Sequence, residues 1–196
     1  YVLAENILIE GQRLDRYIQN LLDITRIGHG SLAVERDWVG LDELCGAVLP
    51  RLRKLYPATD VEMTLPAQLP LLHVNPALIE QALYNVLENA AKFNSPAYPI
   101  VLQAHMDESR LCIDVSDHGP GIPAQDRHRV FDMFYSVERG DHAGSSGTGL
   151  GLAICHGIIA AHNGAIEALA GPDGQGTTIR IMLPVSDPPF DAAQDV

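Results

Sequence analysis

Between Pro76 and Lys92, the residues Leu78, Ile79, Ala82, Leu83, Val86, Leu87 and Ala90 recur at the three-and-four spacing of one helical face. Gln81, Asn85, Glu88, Asn89 and Lys92 fall on the opposite stripe. A helix with so complete an apolar face must lie on a hydrophobic layer, which restricts the chain to layered architectures. The polar stripe constrains it further. Asparagine inside a helix costs roughly 0.5–0.7 kcal/mol against alanine, because its amide competes for backbone hydrogen bonds. Solvated faces favour Glu, Lys and Gln, so two asparagines one turn apart are a costly way to fill one. One reading is a plain solvent face. The other is a pair of amides that ligates Mg2+ and holds phosphate oxygens, with Lys92 adding positive charge.

The rest of the chain alternates helical and strand periods. Residues 1–27 read as a helix whose Leu3, Ile7, Leu14, Ile18 and Leu21 keep seam spacing, with Gly11 and Thr25 as weaker members. Two readings fit it: a helix packed on its own domain, or one cut out of a coiled or four-helix assembly. "GHGS" at 28–31 stops it. A helix is expected over 41–55, ending before Pro57, with short strands at 61–65 and 71–74. Asn75 caps the next helix, with Pro76 in its first turn. Strands at 99–107 and 109–117 meet through "DES", and strands at 165–170 and 177–183 through "GPDGQG". A helix at 150–162 is closed by Asn163-Gly164. Helices beside a mixed, mostly antiparallel sheet give an α/β (α+β) two-layer sandwich with the helices on one face.

Composition excludes several classes. A net charge of −12 leaves no clustered Lys and Arg for a nucleic-acid footprint. No run of about 18 apolar residues is present, so nothing here is expected to span a bilayer. The first residues lack a signal-peptide layout, and a start at Tyr1 without Met suggests a fragment of something longer. Cys45, Cys112 and Cys155 are scattered among apolar residues and read as buried free thiols.

Two further stretches carry chemistry. In "VSDHGPGIP", residues 115–123, Asp117 falls at a strand end, while Gly119 and Gly121 permit backbone shapes closed to other residues. It is either an acidic turn or a carboxylate that accepts from an exocyclic amine such as adenine's. "SGTGLGLAI", 146–154, opens a helix on glycines. Backbone N–H groups at a helix start hold phosphate without any Lys. It is neither a Walker A loop, lacking Gly-Lys-Ser/Thr, nor a dinucleotide fingerprint, lacking the final spacing. Between them, residues 118–148 are too long for an ordinary connector and carry Phe131 and Phe134.

In this order the elements resemble the histidine-kinase branch of the GHKL, or Bergerat-fold, ATP-binding family. "NVLENAAKF" looks like its N box, "DHGPGIP" its G1 box, "VFDMF" its F box, "GTGLGL" its G2 box and "GQGTT" a third glycine box. Within the branch, "RDWVGLDEL", "LLHVNPALIEQAL" and "LGLAICHGII" are similar to the KdpD-type, potassium-responsive sensor kinases.

The resemblance implies ATP or ADP and Mg2+ as ligands, and a protein-histidine kinase as the activity. Asn89 would coordinate the metal, Asn85 support the metal and phosphate shell, and Lys92 contact phosphate. Phe93, Gly119, Gly121, Ile122 and Phe134 would line the nucleotide, and Asp117 would accept from the adenine amine. Gly147, Thr148, Gly149, Leu150, Gly151 and Leu152 would wrap the phosphates, and Thr177 would reach the adenine through water. An Arg that commonly follows the F box is absent from "FYSVERGD", where Arg139 is the nearest candidate. The hydrolytic branch of the fold has Glu where this chain has Asn85, and Glu88 is expected to be solvated. None of the eight histidines stands in a phosphoacceptor context.

The implied organisation is a dimerisation-hairpin helix over 1–30, a linker over 31–37, an ATP-binding domain over 38–184 with a lid at about 123–147, and a flexible tail over 185–196. The implied partners are the hairpin, a response regulator and a second copy in the full-length protein. The implied location is the cytoplasmic side of a bacterial inner-membrane sensor, with membrane contact only through other regions.

Overall fold

The structure is a computed structural model that describes residues 35–137 and 149–186. The helix expected over 1–27, Arg139, Gly147, Thr148 and the tail from residue 187 lie outside the described residues. In chain order the elements are β1 (Asp37–Val39), α1 (Leu41–Leu55), β2 (Val61–Thr64), β3 (Leu72–Val74), α2 (Pro76–Phe93), β4 (Ile100–Asp107), β5 (Arg110–Asp117), α3 (Gly151–Ala161), β6 (Ala165–Ala170) and β7 (Thr177–Pro184). The main sheet runs β2-β4-β5-β7-β6, with β2–β4 parallel and the other pairs antiparallel.

The period of two along the strands separates the faces. Leu102, Ile113, Val115, Ile179 and Ile181 join Leu83, Leu87, Ile154 and Ile158 of the helices in one buried core. On the other face Asp114 takes a two-pronged ion pair from Arg180, at 2.7 and 2.8 Å. The two-layer sandwich with a mostly antiparallel sheet is therefore the observed architecture. The three cysteines are buried and free, as expected.

Both site-bearing helices have well-made ends. Asn75 Oδ1 accepts from the Leu78 amide at 3.0 Å, with Pro76 at the first helical position. Asn163, at φ 57°, closes α3; the amides of Asn163 and Gly164 reach Ala160 O and Ile159 O at 3.0 and 2.9 Å. Buried His162 joins the two helices. Its Nε2 accepts from the Asn75 amide at 3.0 Å, so Nδ1 carries the proton that bonds Ile158 O at 2.7 Å. Burial pushes the pKa of this imidazole below its ordinary value.

Two features differ from the sequence reading. The residues 37–39 form a strand, pairing antiparallel with β3 and stacking Trp38 on His73 at 4.8 Å. Glu88 is not solvated: it is 7% exposed. Tyr56, just past α1, covers that side of α2 and donates from its hydroxyl to Glu88 Oε1 at 3.4 Å, while Lys92 Nζ lies 2.9 Å from Oε2.

Candidate functional site

The end of β5 delivers Asp117 into a nearly closed pocket of backbone, where it is 7% exposed. Its Oδ1 accepts from the amides of Gly119 and Thr177, at 2.8 and 3.2 Å. Two glycines make this approach possible. A Cβ on Gly119 would lie 2.4 Å from Phe93 O, and one on Gly176 would lie 1.8 Å from Asp117 O. Gly176 also sits at φ 72°, a conformation L side chains avoid. The β5 end, the α2 end and the turn before β7 thus converge on one carboxylate. Thr177 itself is buried beside it, and Ile122 packs against the core while its carbonyl accepts from Arg127 Nε at 3.2 Å.

The polar stripe of α2 splits in two. Glu88 and Lys92 pair with each other on the α1 side. Asn85 and Asn89 turn toward the first turn of α3. Asn85 Nδ2 donates to Gly151 O at 3.5 Å and also bonds the Cys155 sulfur. Asn89 Nδ2 would stand 3.6 Å from a Cβ on Gly151. The first amides of α3 have no intrahelical acceptor, by helix geometry, and carry the positive end of its dipole. The two half-buried amides and that helix start therefore face each other, and Leu150, just ahead of α3, is buried. Burial raises the Cys155 thiol to about 12, which leaves it inert as a nucleophile.

The third edge is the aromatic turn. Phe134 takes φ 64° and donates from its amide to Gly149 O at 3.0 Å. Its ring is 68% exposed. Phe131 instead packs inward, 6.2 Å from the His156 ring. Phe93 is 44% exposed at the α2 end, where its carbonyl meets Gly119. Asn85, Asn89, Phe93, Asp117, Gly119, Gly121, Phe134, Gly149 to Leu152 and Thr177 thus come together around one side of the sheet. Lys92 stays with Glu88. Sequence reasoning assigned no role to Asn94, and none to Gly176 beyond a place in the third glycine box; their contacts depend on residues 24 and 59 positions away. Their signals were faint: a polar residue at a helix end, and a second glycine in "GQG".

A helix of amides, a carboxylate at a strand end and a glycine-opened helix, in this chain order, are joined by a direct match. The sequence profile described as histidine kinase-, DNA gyrase B-, and HSP90-like ATPase covers residues 74–187. The chain belongs to this family. Sensor protein KdpD of Escherichia coli (strain K12) is 37% identical to this chain over 175 residues, 89% of the chain and 19% of that relative. Adaptive-response sensory kinase SasA of Nostoc sp. (strain PCC 7120) is 34% identical over 90% of the chain and 44% of its own length. The chain therefore spans less than half of these relatives. Among solved structures, the mycobacterial sensor histidine kinase MprB superposes with TM-score 0.66 at 30% identity, covering 76% of this chain and 97% of that one. Full-length ShkA in complex with AMPPNP gives TM-score 0.77 at 25% identity, over 94% and 39%. The domain is a histidine-kinase ATPase domain of the sensor-kinase type.

Proposed function

We propose that this ATPase domain binds ATP and transfers its γ-phosphoryl group to a histidine on a dimerisation hairpin, from which the phosphate passes to a response regulator. The observation that carries this reading is the pair of amides, Asn85 and Asn89, facing the start of α3. Phosphoryl transfer needs positioning and charge neutralisation more than covalent chemistry from the protein. Asn85 is an amide that bonds Gly151 O and cannot activate water as the glutamate of the hydrolytic branch does. It favours holding ATP over hydrolysing it.

Asp117 accepts from the adenine amine, Phe93 and Phe134 flank the nucleotide, and the first amides of α3 hold the phosphates. Among the described residues no cluster of three His, Cys, Asp or Glu forms a metal site. The half-buried amide of Asn89 beside the start of α3 fits Mg2+, which keeps several waters and is held by few protein oxygens together with phosphates. Asn89 is the residue that would hold it, and the ion supplies neutralisation of phosphate charge. Lys92 reaches phosphate by leaving Glu88. The finer assignment, a KdpD-type potassium-responsive sensor with its kinase domain on the cytoplasmic side of the inner membrane, draws on the 37% identity to KdpD. No helix among the described residues is long and apolar enough to cross a membrane. Dimerisation belongs to the hairpin.

The test supplies a separate hairpin domain carrying an accepting histidine and follows labelled phosphate from ATP. Label on the hairpin is expected, with almost no phosphate released by this chain alone. Tight ATP binding without transfer would mean a regulatory nucleotide-binding module. Steady phosphate release would mean a hydrolytic ATPase.

A further inference from the structure

We propose that Asn94 is a positioning residue for base recognition, fixing the direction of the Asp117 carboxylate; this rests on the reading of Asp117 as the adenine acceptor. Asn94 lies one residue past α2, in extended backbone, with its amide still bonded to Ala90 O at 2.8 Å. Its side chain is used at both ends. Oδ1 accepts from the His118 amide at 2.8 Å, and Nδ2 donates to Tyr98 O at 2.7 Å.

The His118 amide belongs to the peptide that joins it to Asp117, so holding that N–H sets the backbone from which the carboxylate springs. The His118 ring is held in turn by stacking on Tyr98, with centroids 4.5 Å apart and planes 17° from parallel. Its Nδ1 is buried with no hydrogen-bond partner among the described residues, so the ring is fixed by the stack and not by a bond at that nitrogen. Gly119 lets the Phe93 carbonyl close against the same turn. Asn94 thus ties the helix carrying Asn85 and Asn89 to the turn carrying Asp117, and sets the spacing of their two ends. A hydrogen bond weakens steeply as its angle opens, so a carboxylate swung off line loses the amine without losing its fold.

The experiment measures dissociation constants by calorimetry for ATP and for purine riboside triphosphate, which lacks the 6-amino group. The unsubstituted protein should prefer ATP, and Asp117→Asn should abolish that preference. Asn94→Ala should weaken ATP binding about tenfold, the size expected for a misdirected charged hydrogen bond, while binding of the analogue stays within about twofold. Asn94→Asp keeps an acceptor for the His118 amide and should keep the preference. Should Asn94→Ala not fold, Asn94→Ser carries the same expectation, since its hydroxyl falls short of both partners. An unchanged ATP-to-analogue ratio in the Ala or Ser variant, or loss of the ratio in the Asp variant, overturns the proposal. Equal binding of both nucleotides by the unsubstituted protein would instead remove the Asp117 reading, and this one with it.

Discussion

The two ends of the site are built in opposite ways. At the Asp117 end, two amides bond one carboxylate, the Asn94 side chain holds the next peptide, and two glycines leave no room for a Cβ. At the aromatic end, Phe134 and Gly149 are bridged by a backbone bond of 3.0 Å, and the side chains of Met133 and Phe134 stand 53% and 68% exposed. The first end is over-determined before any ligand arrives. The second keeps apolar surface in water, and only a ligand or a rearrangement would cover it. On the proposed function, specificity for a base would belong with the first arrangement, and adaptation to phosphates with the second.

That contrast can be broken. Gly176→Ala should be the most damaging change, because its Cβ would press on the Asp117 carbonyl at a positive φ. Overpacking and left-handed backbone together suggest a loss of about 2–5 kcal/mol in denaturant unfolding. A loss below about 1 kcal/mol would show the Asp117 end to be looser than its geometry. Asp117→Asn should weaken ATP binding on the order of tenfold to a hundredfold by calorimetry, the range for a hydrogen bond to a charged group. Unchanged affinity would reject Asp117 as the adenine reader.

Asn89→Ala tests the phosphate side. ATP affinity, measured in Mg2+ and in chelator, should become equal in the variant; a surviving difference would place the metal elsewhere.

His162 sharpens the picture by pinning the rear of α3. Its folded pKa lies below the ordinary 6.5, so the unfolded chain takes up the proton first. Stability should therefore be level above pH 6.5 and fall as the pH drops through the window below it, with the decline reduced in His162→Gln. A decline of the same size in that variant would assign it to other groups. The smallest effect is expected at the aromatic end. Phe134→Gly should raise stability by at most about 1 kcal/mol, since relief of the positive φ is offset by chain entropy. A loss of several kcal/mol would mean that this end is as firmly built as the other.

Most of the fold was legible because it follows periods. The apolar stripe of α2, the strand and helix bounds from 41 to 183, and the Asn75-Pro76 start all follow local signals, and the structure reproduces them within a residue or two. The strand Asp37–Val39 escaped because three residues carry too little pattern, and pairing with β3 is what makes them a strand. Glu88 escaped because helical angle places it on the polar stripe, while a tyrosine just past α1 covers it. Asn94 directly follows the stretch read as an N box, yet its partner at 118 is set by tertiary folding. Residues that act through neighbours of their own helix can be read from spacing; those that act across the fold cannot.

The fastening of α3 has a mechanical consequence. Arg36 Nη2 grips the carbonyl of Ala161 at 3.0 Å, and His162 grips the start of α2. The eleven residues of α3 span about 16 Å of stiff rod. Tension or torque applied just ahead of β1 is thereby loaded onto the back of that rod, whose front turn meets Asn85. A tug on residue 36 would be felt at the turn that faces Asn85 without passing through the five-stranded sheet.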